Sequence, residues 1–177
     1  LGSPRLHSIV VGGTRNLLRA IEGSGMRMVY VSSAAALGAS SHPRAMRDAR
    51  SCFNLDPRKY RYAACKAEAE RLCAEAVSTR GADIVIVNPT ETYGPGDHDF
   101  VTAGSLIEFA RSGLCLTCAG GTAIAHVDDV AAATEQALRA GERGTKTILG
   151  SENLSITELA RITRRHAGAS GPVIEVP

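Results

Sequence analysis

The chain has 177 residues, 44% of them hydrophobic and 21% charged, with a formal net charge of +2. That composition is ordinary for a soluble globular domain long enough to build a core, and with no basic stripe it gives no support to nucleic acid or an anionic membrane as the main partner. The five cysteines (Cys52, Cys65, Cys73, Cys115 and Cys118) are odd in number and scattered, which reads as reduced thiols in a cytoplasmic protein rather than a disulfide scaffold.

No apolar run approaches membrane-spanning length. The chain opens on Leu1, so the lack of a leader says nothing about targeting. In chain order, Leu17, Leu18 and Ile21 share one face of a helix predicted over 11–23, which Gly23 and Gly25 end. A Val- and Tyr-containing run at 27–32 reads as a buried strand. Residues 38–57 show no period and are expected to form a long loop, of a length usually reserved for function. An Ala-, Glu- and Lys-dense helix is predicted over 58–79, ended by Gly81.

DIVIVNP, 83–89, is the clearest strand, stopped by Pro89. A helix near 102–112, a strand near 114–118 and a helix from Asp128 or Asp129 to about 140 follow. Lys146–Leu149 reads as a strand, Ser155 and Glu158 have capping-box spacing for another helix, and PVIEV is a candidate last strand. The Cys115–Cys118 pair has metal or redox spacing, but it stands alone inside an apolar run. Buried thiols beside a strand are the expectation, with no metal site. Alternating strands and helices imply a single α/β domain over 1–177, a parallel sheet flanked by helices. Ligands bind such sheets at the carboxyl ends of the strands. Ser32-Ser33 and Asn88-Pro89-Thr90 fall at those ends.

Tyr62 and Lys66 stand four apart on the long helix, with Cβ atoms roughly 6 Å apart on one face. An ammonium favours a nearby phenolate, so a Tyr so placed can exchange a proton with an alcohol or carbonyl oxygen near neutral pH. Tyr60 lies on another side of the helix and is the weaker candidate. Ser33, at a strand end, supplies a hydroxyl able to hold the reacting oxygen against Tyr62. Each feature also has a plain structural reading: a solvated Tyr–Lys pair, and a serine that caps backbone groups.

The segments VYVSSAAALG, YAACK, IVIVNPTETYGPGD, AHVDDVAAA and ILGSENLSITELA occur in this order and cover nearly the whole chain. The set resembles the extended short-chain dehydrogenase/reductase family. It is most similar to the dihydroflavonol-reductase-like branch of the NAD-dependent epimerase/dehydratase proteins. The resemblance implies a Rossmann-like sheet, partial here, with the N-terminal βαβ units and the C-terminal end missing. It implies Ser33, Tyr62 and Lys66 as the catalytic set. Ser32, Tyr62, Lys66, Pro89 and Thr90 would border an NAD or NADP cofactor, Asn88 would face the small-molecule substrate or the cofactor's nicotinamide end, and Tyr93 would stand on the substrate side. Gly120, Gly121 and His126–Val130 match a mainly structural segment, with Asp128 as a helix cap. A homodimer through the helices at 11–23 and 58–79 is a further implication.

Several residues depart from the family pattern. Cys65 stands where Ser is usual inside the YxxxK segment, Val10 where Asn is usual, and Glu91 is an unusual charge. No glycine-rich dinucleotide fingerprint occurs in these residues. The expected activity of the full-length protein is an NAD(P)-dependent reductase or dehydrogenase. The alternatives are a nucleotide-sugar epimerase or dehydratase, or a catalytically incompetent fragment that binds NAD(P) poorly.

Overall fold

The computed structural model describes residues 4–42 and 45–176. Residues 43 and 44 of the expected long loop lie outside them. The chain divides into two compact units. One comprises residues 1–89 with Ala131–Leu149, the other Thr90–Val130 with residues 150–177.

The first unit opens on α1 (Pro4–His7), a π-helical stretch (Ser8–Gly12) and α2 (Gly13–Ile21). The helix therefore begins earlier than its apolar spacing announces. Thr14 Oγ1 donates back to the Val10 carbonyl at 2.7 Å across this stretch. After α2 come β1 (Met28–Val31), a 3₁₀ turn (Ala34–Leu37), α3 (Arg61–Arg80) and β2 (Ile84–Pro89). The sheet is completed by β6 (Lys146–Leu149), in the order β1-β2-β6 with all pairs parallel.

Register decides what each face carries. Tyr30, Ile86 and Lys146 form one row across the sheet, and Asn88 pairs with Ile148 one pleat further on. Met28, Tyr30, Ile84 and Ile86 meet Leu18, Ala69, Cys73 and Ala76 in the core. Alanine and cysteine at those α3 positions let the helix lie close to the strands. Val85 and Val87 are buried on the opposite face, where Val85 meets the backbone at Gly141. α3 starts at Arg61, three residues later than its composition suggests, because Lys59 and Tyr60 donate their N–H groups to the Asp56 carbonyl in a preceding turn.

The second unit holds β3 (Glu91–Tyr93), α4 (Ala103–Arg111), β4 (Cys115–Cys118), β5 (Gly121–His126), β7 (Glu152–Ser155), α6 (Ile156–His166) and β8 (Val173–Val176). The helix α5 (Val127–Ala140) begins here and continues into the first unit. β3 and β5 pair in parallel, and so do β4 and β8, but β5 and β7 run antiparallel. The sequence reading anticipated none of β3, β5 and β7 and expected parallel pairing throughout. Ser155 caps α6 in the capping box its spacing announces. Asp128 lies inside α5 rather than ahead of it, and its N–H meets His126 Nδ1 at 3.3 Å.

Asp97 closes the Gly94–Thr102 loop by accepting the N–H groups of Val101, Thr102 and Ala103 at 2.8–3.0 Å. These bonds, Ala103's first, hold its carboxyl below the usual carboxylate range. A depressed carboxyl stabilises the fold above its unfolded pKa, and the effect is lost as pH falls through the folded value. Amide protection at Val101, Thr102 and Ala103 is therefore expected to persist at neutral pH and to fade below about pH 4, as hydrogen exchange read by NMR will register.

All five thiols are free. Burial pushes Cys73 up to about 12, with Glu70 adding to the effect, and raises Cys65 as well. Titration of the native chain with a thiol-specific disulfide reagent is expected to modify Cys52 and Cys118, the two exposed cysteines, promptly. Cys65, Cys73 and Cys115 should follow only in denaturant.

Candidate active site

The site lies in the first unit, at the carboxyl ends of β1 and β2. Ser32 follows β1 and stays in the ladder, donating its N–H to Val87 at 2.8 Å. Ser33 is extended (φ −162°, ψ 147°) and caps the 3₁₀ turn, its Oγ accepting the Ala35 N–H at 3.2 Å. The capping role expected of a strand-end serine is thus present. It uses Ser33 as an acceptor and leaves its hydroxyl hydrogen for another partner.

Because α3 begins at Arg61, Tyr62 sits in its first turn, 45% exposed, with Lys66 one turn further along. The Lys66 Nζ is 5.9 Å from the centre of the Tyr62 ring and 5.3 Å from that of Tyr30, and it donates to the Val31 carbonyl at 2.9 Å. Both rings fall within cation–π range. Burial lowers the pKa of Lys66, with Glu70 opposing the shift. The two phenols differ sharply in access. Tyr30 is 9% exposed, and burial pushes its hydroxyl up to about 12. Of the two tyrosines flanking the ammonium, only Tyr62 reaches solvent.

Beneath these groups lies a residue that the sequence reading passed over. Glu70 is 7% exposed and stands one further turn along α3 from Lys66. Its Oε1 accepts from Ser32 Oγ at 2.5 Å and from Asn88 Nδ2 at 2.6 Å, and its Oε2 pairs with Lys146 Nζ at 3.2 Å. Asn88 is fully buried and also donates from Nδ2 to the Ser33 carbonyl at 2.9 Å, while its Oδ1 has no hydrogen-bond partner among the described residues. The detectable signal was the spacing Tyr62, Lys66, Glu70, three polar residues on one stripe of an otherwise Ala-rich helix.

Ser32, Ser33, Tyr62, Lys66, Asn88 and Pro89 therefore belong to one unit, and Thr90 and Tyr93 to the other. Thr90 packs against Gly150, where an added Cβ would meet its Cγ2 at 2.8 Å. Burial and Glu91 push the Tyr93 phenol up to about 12, against the pull of the Ser105 hydroxyl. Tyr93 thus stays a neutral hydrogen-bonding group. Among the described residues, no group of three His, Cys, Asp or Glu side chains is placed to hold a metal.

A family model for the NAD dependent epimerase/dehydratase family matches residues 5–150. The chain belongs to this family. Among its curated relatives in the epimerase/dehydratase group is a Synechocystis protein named "Putative dihydroflavonol 4-reductase". It is 34% identical over 93% of this chain and 49% of its own length. A Bacillus cytotoxicus UDP-N-acetyl-alpha-D-glucosaminuronate decarboxylase is 28% identical over 93% of this chain and 54% of its own. The chain thus spans about half the length of these relatives.

Among solved structures, that of gox2253 superposes with a TM-score of 0.85 at 30% identity, over 99% of this chain and 55% of the other. RMD from Pseudomonas aeruginosa, complexed with NADPH, gives 0.75 at 25% identity, over 96% and 62%. The α/β, Rossmann-like class and the family resemblance both agree with these matches. So does a nicotinamide cofactor, NAD or NADP, for the epimerase/dehydratase family. No helix among the described residues is long and apolar enough to cross a membrane.

The described residues of this epimerase/dehydratase-family chain suit one end of such a cofactor. Among the described residues Lys66 Nζ commits one hydrogen bond, to the Val31 carbonyl, and so keeps donors that a ribose hydroxyl could use. Among the described residues no glycine-rich turn between a strand and a helix offers itself to the pyrophosphate end.

Proposed function

We propose that this chain carries the proton-transfer and oxygen-positioning groups of an NAD(P)-dependent oxidoreductase that interconverts a carbonyl and an alcohol. The observation supporting this is the ammonium of Lys66, set 5.9 Å from the exposed Tyr62 ring and bonded to the carbonyl two residues before Ser33. A bound nicotinamide supplies or accepts the hydride. The Tyr62 hydroxyl gives its proton to the oxygen of a carbonyl undergoing reduction, or takes it from an alcohol undergoing oxidation. Lys66 favours the phenolate electrostatically and is offered to the ribose hydroxyls. Ser33, already accepting from Ala35, donates to the same substrate oxygen and holds it against Tyr62.

In this reading Ser32 and Pro89 border the nicotinamide. Ser32 does so through its backbone, because its hydroxyl is bonded to Glu70. Asn88, whose Oδ1 has no partner among the described residues, is the substrate-side residue of this unit. A second reading, epimerisation or dehydration of a nucleotide sugar with the same three groups, is favoured by the 28% identity to a nucleotide-sugar decarboxylase. Assays with NADH and NADPH against a ketone panel and a nucleotide-sugar panel separate the two. Reductase chemistry predicts nicotinamide consumed in proportion to ketone, whereas sugar chemistry predicts product without net nicotinamide turnover. A catalytically incompetent piece predicts neither, and titration with NADPH would then show no micromolar binding. The homodimer that the resemblance implies is tested by light scattering.

A further inference from the structure

We infer that Glu70 is a positioning residue that fixes the substrate-holding serine, Ser33, relative to Tyr62 and Lys66. The inference rests on the catalytic reading above and assigns it a fourth group. Tyr62 and Lys66 ride on α3, whereas Ser33 rides on the end of β1, so their mutual geometry depends on how helix and sheet are tied. Glu70 is the polar tie. It belongs to the same helix as the acid–base pair, and its carboxylate meets side chains from three sources: Ser32 after β1, Asn88 in β2 and Lys146 in β6.

Asn88 completes the link, because the Nδ2 that donates to Glu70 also donates to the Ser33 carbonyl. Both acceptors require a donor there, so the amide has only one compatible orientation. The carboxylate is buried, and its oxygens are committed to these three neighbours. Such a network is rigid when every member is satisfied and loose when one is lost. Glu70 touches no reacting atom, so its effect passes through Ser33.

A double-mutant cycle tests this. Glu70→Gln keeps the side-chain length but replaces one oxygen by an amide group facing Lys146. With Ser33 present it is expected to lower kcat by about tenfold or more, with cofactor KM little changed. In a Ser33→Ala background the same change should cost less than about twofold, since the serine it positions is gone. Equal losses in both backgrounds would mean a general structural role and overturn the inference. No loss with Ser33 present would overturn it too. An unchanged kcat in Ser33→Ala alone sinks the catalytic reading and this inference with it, whereas a slow Ser33→Ala with additive Glu70→Gln sinks the inference alone.

Glu70→Asp, which keeps the charge beside Lys146 but withdraws it by one methylene, runs the same cycle should the glutamine variant fail to fold. An NMR measurement on the 177-residue chain needs no turnover. The Asn88 side-chain amide and the Ser33 backbone amide are expected to move in either Glu70 variant. The ¹³C-dimethylated Lys146 signal should move with them and the Lys59 signal should stay. Unmoved Asn88 and Ser33 resonances would overturn the positioning role.

Discussion

Replacing Tyr62 by Phe is expected to lower turnover by about 10²–10⁴-fold, the usual contribution of a positioned acid–base group. The substitution removes one oxygen and keeps the ring beside the Lys66 ammonium. Tyr62 is 45% exposed, so the unfolding midpoint should barely move. The loss should appear in single-turnover hydride transfer, with whichever cofactor and substrate pair the assays identify, and not in cofactor affinity. Retention of more than about a third of the rate would remove the phenol from the chemistry, because other general-acid routes do not match a positioned group to that extent. Tyr30→Phe is the internal control. Its hydroxyl, pushed up to about 12 by burial, is no candidate for proton transfer, and that variant should keep its rate.

Arg164→Ala is expected to destabilise the second unit by about 3–5 kcal/mol, among the larger effects a single substitution has. Arg164 is 3% exposed and its guanidinium serves four backbone carbonyls. Nη1 donates to Phe109 at 2.7 Å and Ser112 at 2.5 Å, and Nη2 to Ser170 and to Gly171 at 3.3 Å. It thereby ties the end of α4 and the turn before β8 to α6. Truncation leaves these acceptors without their donor in a space water fills poorly. Lysine brings its donors on a single nitrogen and cannot reproduce the fork, so Arg164→Lys should recover less than half of the loss. Urea unfolding of both variants measures this. A midpoint shift for the alanine variant of under about 1 kcal/mol would mean that the carbonyls find other donors.

Why some of this was readable and some was not follows from where each residue gets its information. Tyr62, Lys66 and Ser33 were legible because their spacing along a helix and their place after a strand are local properties. β1 and β2 were legible because they carry their own apolar runs, and α3 because Ala, Glu and Lys favour helix. Glu152–Ser155 carries none. Its segment, Glu-Asn-Leu-Ser, becomes a strand because β5 offers an edge to it, and that is decided by tertiary context. The three-residue β3 is too short to show a period. Glu70 was overlooked for a related reason. A glutamate in an Ala- and Glu-rich helix looks solvated, and only the strand register, which turns Ser32, Asn88 and Lys146 toward the same face, shows that it is buried.

The four-residue spacing of Tyr62, Lys66 and Glu70 makes chain length itself a determinant inside α3. One residue inserted between Tyr62 and Lys66 would swing everything before it by about 100° around the helix axis relative to everything after. The phenol would leave the ammonium's side while the carboxylate kept its grip on the strands. In the loop of residues 38–57 the same insertion adds less than about 0.1 kcal/mol of closure entropy, provided it spares the Asn54 bonds to Ala39 and the Arg47 bonds to Leu37 and Cys52. Homologues are therefore expected to admit no gap from Tyr62 to Glu70.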